Sequence, residues 1–468
     1  MKRRICIVAG AFAAGFVMAG ADWADMELRR AGDAAEMAAP AATEPTGWRS
    51  EWRLRRNRMI EANPGLTHDP TSMLVKFQTH DLPEWEEALR GIFESETIET
   101  WELVPGLEHM TCSRDSAEAA EVLQRIAGAL GIVEYAEPDF IYHLGATPND
   151  TSYGVLWGLN NTGQTVNKDR GTANNDIDAN LAWDVTTGSS TMVVGMADSG
   201  IRLTHADLAA NLWNNPGEIA GNGIDDDGNG YTDDTWGWDF WNNDNNPTDD
   251  NGHGSHTAGT VGAVGNNAKG ITGVCWNVRL IGLKIGSASG SVSSSAGISA
   301  LNYCTTKGVK VSNHSWGGST SSSAFSSAVT AAQSAGHMLV CAAGNSGVST
   351  PFYPASYSQD NVLSVAAVDN DGRLASFSNF GATNVDLGAP GVNIYSCSKN
   401  NDTSYAYLNG TSMAAPHVTG VAALVWSQNP GWSYQQVRSK ILSSVKPLSS
   451  LAGKTVTGGM LNANNAVR

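Results

Sequence analysis

The chain has 468 residues, enough for two or three domains of ordinary size, and with 41% hydrophobic residues it can bury a large core. A formal net charge of −17 argues against a nucleic-acid partner, which would want a basic face. Acidity suits solubility and cation binding, and leaves the fold open.

The chain opens with "MKRR", a positive stretch, followed by the apolar "ICIVAGAFAAGFVMAGA" and the small-x-small triplet Ala19-Gly20-Ala21. This pattern predicts a signal peptide over residues 1–21, and so a secreted, extracellular product. The run is short for a span of about 20 residues and rich in Ala and Gly, so no membrane anchor is expected. Glutamate divides the remainder: 17 lie in residues 1–145, and only Glu218 follows. Residues 22–70, rich in Ala, Glu, Arg and Pro with little periodicity, are expected to be a mobile linker. Over 71–145 the pattern becomes regular. "SMLVKF", "TIETWELV", "LEHMTCS" and "VEYAEPDFIYHL" read as strands, while "LPEWEEALRGIF" and "SAEAAEVLQRIAGAL", capped by Ser116, read as helices. The order β-α-β-β-α-β is that of a small ferredoxin-like α+β module.

From 146 to 468 short apolar runs alternate with helices. "TMVVGMADSG", "VRLIGLKI", "VKVSNHSW", "HMLVCAAGN" and "VLSVAAVD" suit parallel strands covered on both faces. The prediction is α/β: a doubly wound, mostly parallel sheet with its reactive groups at the carboxyl ends of the strands. Of the six cysteines, the four after residue 145 show no CxxC or Cys/His spacing, so zinc is not expected. One or two disulfides and buried free thiols fit equally well.

Three motifs carry chemistry. Asp198 ends the strand "VVGMADSG", His253 opens "HGSHTAGT", and Ser412 stands in "NGTSMAAPHV" at a helix start. A hydroxyl nucleophile needs a base, and the base needs an anion to fix its tautomer. The chain order Asp, His, Ser excludes an α/β-hydrolase, where Ser comes first in a G-x-S-x-G elbow. On these three motifs the sequence resembles the subtilisin-like serine proteases with an N-terminal inhibitory propeptide, over about residues 70–468. Ser255, where the family has Thr, is a conservative departure.

The resemblance implies a secreted endopeptidase of broad specificity, made as a self-processed zymogen that is cut between about 143 and 149. Ser412 would be the nucleophile, His253 the base and Asp198 the orienting carboxylate; Asn345 in "CAAGNSG" would donate to the oxyanion. His256 and His417 would be structural. Pro416 is expected in the first turn or so of the Ser412 helix, where its missing N–H costs little. The segments 286–292, with Ser289 and Gly290, and 315–318, with Ser315, Trp316 and Gly317, would flank an extended peptide. Trp316, Gly317, Ala342, Ala343 and Gly344 would wall the specificity pocket. No acidic cluster lines these segments, so the expected preference is apolar or aromatic. Partners would be protein or peptide substrates and the chain's own propeptide, with the enzyme a monomer. The family core ends close to Arg468, so no appended domain is expected.

"GNGIDDDGNGYTDD" offers Asp225, Asp227, Asn229 and Asp233 at alternating positions, as in EF-hand-type loops that bind Ca²⁺. Trp236 occupies the place of the bidentate Glu. By resemblance, Asp207, Asn267 and loop carbonyls would hold a second structural Ca²⁺. The alternative from another class is a catalytically inactive, calcium-stabilised protein-binding relative; an esterase on the same triad is a weaker one.

Overall fold

The computed structural model describes residues 48–62, 68–78, 89–113, 115–129, 131–141 and 146–468. The expected signal, linker residues 22–47, the first turns of the 82–93 helix and positions 143–145 of the cleavage window lie outside them. Two compact units divide the chain, one up to His143 and one from Leu144.

The first unit contains α1 (Trp48–Ala62), β1 (His68–Phe77), helical turns over 89–93, β2 (Thr97–Thr100), β3 (Leu107–Thr111), α2 (Ser116–Ala129) and β4 (Val133–Phe140). The strands pair antiparallel in the order β2-β3-β1-β4. Alternation on β1 buries Met73, Val75 and Phe77 against Leu89, Phe93, Met110, Leu123 and Val133. Two local expectations are corrected. Residues 48–62, read as linker, form a helix, and the first strand begins at 68. That helix docks by polar anchors: Arg56 Nε and Nη2 donate to buried Asp69 and to Asp139 at 2.6 and 2.9 Å. The cap of α2 is Asp115, whose Oδ1 accepts from Ala117 and Glu118 N–H. Ser116 instead donates to the carbonyl of Asp69 at 2.6 Å.

The second unit opens with a ribbon of β5 (Thr165–Val166) and β6 (Asp169–Arg170), then α3 (Ala179–Ala182) and β7 (Gly188–Asp198). There follow β8 (Gly237–Asp239), α4 (His253–Gly262), β9 (Asn277–Lys284), α5 (Ser294–Thr306), β10 (Val311–His314), α6 (Ser323–Ser334), β11 (Met338–Ala342) and β12 (Val362–Val368). The unit closes with β13 (Leu387–Pro390), a hairpin of β14 (Ile394–Cys397) and β15 (Tyr405–Leu408), α7 (Thr411–Gln428), α8 (Tyr434–Ser443), β16 (Lys446–Pro447), β17 (Gly459–Met460) and α9 (Ala463–Val467). Its nine-stranded sheet has the order β16-β17-β13-β12-β11-β10-β7-β9-β8, parallel except for β16 with β17. β10 to β13 are buried along their whole length and β7 and β9 over their carboxyl-terminal halves, as their apolar runs predict.

From β7 the chain passes to the edge strand β8, comes back to β9 between the two, then crosses to β10 and continues through β13 on the other side. The crevice above the carboxyl ends of β7 and β10 is the switch point where such sheets place their sites. Helix α7 is buried on nearly every face, which its all-round apolar and small residues allow. A Cβ added to Gly420 would lie 2.5 Å from Val274 Cβ, so only glycine permits this approach. Cys275, Cys304, Cys341 and Cys397 are buried free thiols. Among the described residues, no helix is long and apolar enough to cross a membrane.

Candidate active site

Asp198 is the last residue of β7 and is almost fully buried. Its Oδ1 accepts from Ser199 N–H at 2.7 Å and lies 2.7 Å from His253 Nδ1; Oδ2 accepts from Thr257 Oγ1 at 3.1 Å. The bond at Nδ1 turns Nε2 of His253 towards the opposite edge of the ring, free for another partner. Burial pulls the His253 pKa down, but the Asp198 carboxylate, its hydrogen bond and the charge of Asp249 win, leaving it above the ordinary 6.5.

His253 is the first residue of α4, and a residue not singled out in the sequence holds that helix start. Asp249 Oδ1 accepts from Ser199 Oγ, Asn251 N–H and Gly252 N–H at 2.8, 3.0 and 2.8 Å. Its Oδ2 accepts from Ser255 N–H and Oγ at 2.8 and 2.6 Å. Ser255 thus supplies the hydroxyl that the conservative departure preserves. The Asp four residues before His253 in "DDNGHG" was the available signal. His256 is buried, its Nε2 3.0 and 3.1 Å from the carbonyls of Ile394 and Ala406, and burial first of all lowers its pKa to about 4. His417 is buried with Nδ1 2.8 Å from Met413 O and a pKa lowered likewise to about 4. Both sit as neutral packing groups.

Ser412 is the second residue of α7, where unpaired N–H groups and the helix dipole favour negative charge. Among the described residues its N–H has no partner, while its Oγ donates to the carbonyl of Ser315 at 3.0 Å rather than to His253. Pro416 stands in the second turn, so its missing N–H is not one of the unpaired donors of the helix start. Its missing N–H deprives the Ser412 carbonyl of a helical partner, and Ser315 Oγ supplies one at 2.8 Å. Asn345 Oδ1 accepts from Thr411 N–H and Oγ1 at 2.8 and 2.9 Å, which leaves its Nδ2 hydrogens uncommitted among the described residues.

Asp198, His253, Asn345 and Ser412 line one cleft of about 640 Å³. Gly290, Ser315, Trp316, Gly317, Ala342 and Gly344 line it too. Of the expected peptide-binding residues, Ser289 and Ala343 do not; Ser289 Oγ pairs with Ser287 Oγ, and Ala343 packs in a small core with Ala366 and Val385.

The acidic loop is arranged differently from the expected ligand set. Asp225 and Asp233 accept from backbone N–H groups of Asn229 and Gly230, and of Gly221, Asn222 and Gly223. Asn229 Oδ1 accepts from Tyr231 N–H. Among the described residues, the carboxylates gathered closely enough to hold a metal ion are Glu218, Asp227 and Asp234, so of the three expected aspartates Asp227 alone belongs to the group. The ammonium of Lys307 already pairs with Asp227 and lies 3.7 Å from Asp234.

At the other expected site Asn267 Nδ2 donates to Asp207 Oδ1 at 2.9 Å, while Asp207 Oδ2 accepts from Ile271 N–H and Tyr405 Oη. Asp150, which the sequence reading missed, completes the group. Its Oδ2 accepts from Asn266 N–H at 2.7 Å, but among the described residues its buried Oδ1 has no partner. Burial, and then the like charge of Asp207, raises its pKa. An orphaned carboxylate oxygen beside a second buried carboxylate fits a hard cation such as Ca²⁺.

A profile of the Subtilase family matches residues 189–464. The thermophilic serine proteinase of Bacillus sp. (strain AK1) is 39% identical over 337 residues, covering 72% of this chain and 73% of that protein. Thermitase of Thermoactinomyces vulgaris is 37% identical over 292 residues, covering 62% and 94%. The crystal structure of a cold adapted subtilisin-like serine proteinase aligns with a TM-score of 0.50 at 30% identity, covering 66% of this chain and 98% of that one.

Proposed function

Because the chain belongs to the subtilase family and is a serine endopeptidase, we propose that Ser412, His253 and Asp198 carry its hydrolysis of peptide bonds. The observation that carries the assignment is the 2.7 Å bond between Asp198 and His253 Nδ1 in the cleft that Ser412 also lines. That bond fixes the tautomer with Nε2 as acceptor. Ser412 Oγ leaves the Ser315 carbonyl by rotation about χ1, gives its proton to Nε2 and attacks the scissile carbonyl. Negative charge then grows on the carbonyl oxygen, where Ser412 N–H and Asn345 Nδ2 are the available donors. His253 passes its proton to the departing amine. Water, deprotonated by the same imidazole, releases the acyl group from Ser412.

The peptide would lie extended between 286–292 and 315–318, pairing through backbone groups that carry little sequence selectivity. In this reading residues 71–145 are the propeptide of a secreted zymogen, which the antiparallel sheet and the N-terminal export pattern support. Asp150 and Asp207, with Asn267 after its amide turns, would hold a structural Ca²⁺, whose charge would offset two buried carboxylates.

A fluorophosphonate tests the assignment. It should label Ser412 and abolish casein hydrolysis, and Ser412→Ala should accumulate as unprocessed chain. Normal maturation of that variant in a host without other proteases would remove the self-processing claim. Labelling elsewhere would remove the catalytic one.

A further inference from the structure

The cleft is also lined by aromatic residues that neither peptide-flanking segment supplies: Phe325, Phe352, Tyr353 and Tyr357. Phe352 lies after β11, is half-buried, and lines the cleft with Trp316, Gly317 and Gly344. Its ring reaches both walls of the proposed pocket. A Cβ added to Gly317 would stand 2.5 Å from Phe352 Cε1 and 3.0 Å from Cδ1. One added to Gly344 would stand 2.9 Å from Cγ and 3.1 Å from Cδ2. One edge of the ring therefore meets the wall that follows β10, and the other meets the wall that follows β11. These two strands are parallel neighbours, with His314 opposite Cys341, so the ring bridges the gap between adjacent strand ends.

The backbone that carries the ring is also tied down. Phe352 N–H donates to Ser356 Oγ at 3.0 Å, and Ser356 N–H donates to the Phe352 carbonyl at 2.8 Å. The next residue, Tyr353, exchanges two backbone hydrogen bonds with Gly318, at 2.8 and 2.9 Å. A segment tied on both sides of its side chain cannot swing away without breaking those bonds. Among the described residues no lysine or arginine lines the cleft, and its charged groups are Asp198 and His253, both committed to each other. Ser315 Oγ is spent on the Ser412 carbonyl. The ring therefore stands between the two walls, beside Gly317, Ala342 and Gly344.

We propose that Phe352 occupies the bottom of the primary specificity pocket and restricts the residue on the acyl side of the cut bond to Gly, Ala or Ser. This rests on the reading of 315–317 and 342–344 as pocket walls, and it replaces the apolar or aromatic preference expected from the sequence. Close-packed interiors do not absorb a second ring where one already sits. A pocket that misfits by a few methylenes discriminates by about 10- to 200-fold.

The test uses the mature enzyme obtained by self-processing of the full chain, its active sites counted with a fluorophosphonate. Peptide p-nitroanilides identical except for Ala, Leu or Phe before the cut bond give kcat/KM. The Ala substrate should exceed the Phe substrate at least about tenfold, and Phe352→Ala should raise the Phe:Ala ratio by roughly 10- to 100-fold. Phe352→Leu, which keeps an apolar side chain in place, should give an intermediate gain and serves if the alanine variant folds poorly. Equal wild-type turnover of Phe and Ala substrates overturns the inference. So does an unchanged ratio in a variant that folds, or Ser412 labelling without turnover of the Ala substrate. Failure of the phosphonate to label Ser412 strikes the catalytic assignment instead, and the inference falls with it.

Discussion

At the scale of single residues, His253 works as a base only while neutral. Its pKa is held above 6.5 chiefly by Asp198 and secondarily by Asp249, against the effect of burial. Activity should therefore be lost as pH falls through that raised value, which the acid limb of kcat/KM against pH reports for the free enzyme. Asp198→Asn removes the anion, so the acid limb should move to lower pH while kcat drops by about 10⁴. An acid limb that stays in place in the variant would show that Asp198 does not set the imidazole. These residues were legible in the sequence because each must be one chemical type at the end of an element. Phe352 was not. Nothing in "STPFYP" announces a pocket, since its role comes from two glycines on other strand ends that the fold brings to its ring. Asp150 was hidden for the same reason: 57 positions separate it from Asp207, and a lone Asp between Asn149 and Thr151 has no local signature.

Elements show how the catalytic groups are kept in place. Helix α4 begins with His253, and Asp249 satisfies its entry with five hydrogen bonds from four residues, three of them in the approach or first turn. Asp249→Ala should lower stability by about 3 kcal/mol, since it removes a charged cap and strands buried donors. Urea unfolding of the active-site-blocked enzyme measures the loss, and a change below about 1 kcal/mol would mean that water replaces the carboxylate. Helix α7 solves a different problem. Its internal Pro416 leaves the Ser412 carbonyl bare, and a hydroxyl from the neighbouring wall fills the gap. Helix periodicity locates α7 well but does not say which turn Pro416 occupies, because the cap, Gly410, offers no side-chain bond to mark the start. Helix α1 was illegible for the opposite reason. Its docking relies on Arg56 between two carboxylates and on Trp52 set edge-on to His109, so no apolar stripe of helical period appears.

The whole molecule carries a net charge of −17, and its buried carboxylates decide how pH and cations act on the fold. Asp150 is the clearest case. Burial raises its folded pKa above the unfolded value, with the nearby Asp207 adding to the effect. Without a cation, the contribution of Asp150 is fully present below the unfolded value of about 3.9 and is lost as pH rises through the raised folded pKa. A bound Ca²⁺ reverses the sign, because it needs the carboxylate ionised. Tm in EDTA should therefore lag Tm in Ca²⁺ by a gap that widens from about pH 4 towards neutrality. With Ca²⁺ at about 100 times its dissociation constant the gain is about 2.7 kcal/mol, or several degrees. Asp150→Asn should shrink the gap and flatten the pH dependence in EDTA. The acidic loop should contribute little to it while Lys307 supplies the positive charge there. Lys307→Met separates the two sites: a Ca²⁺-dependent gain that grows in this variant belongs to Glu218, Asp227 and Asp234, and what Asp150→Asn abolishes belongs to Asp150 and Asp207. Identical melting curves in Ca²⁺ and EDTA at neutral pH would leave the orphaned oxygen of Asp150 to water.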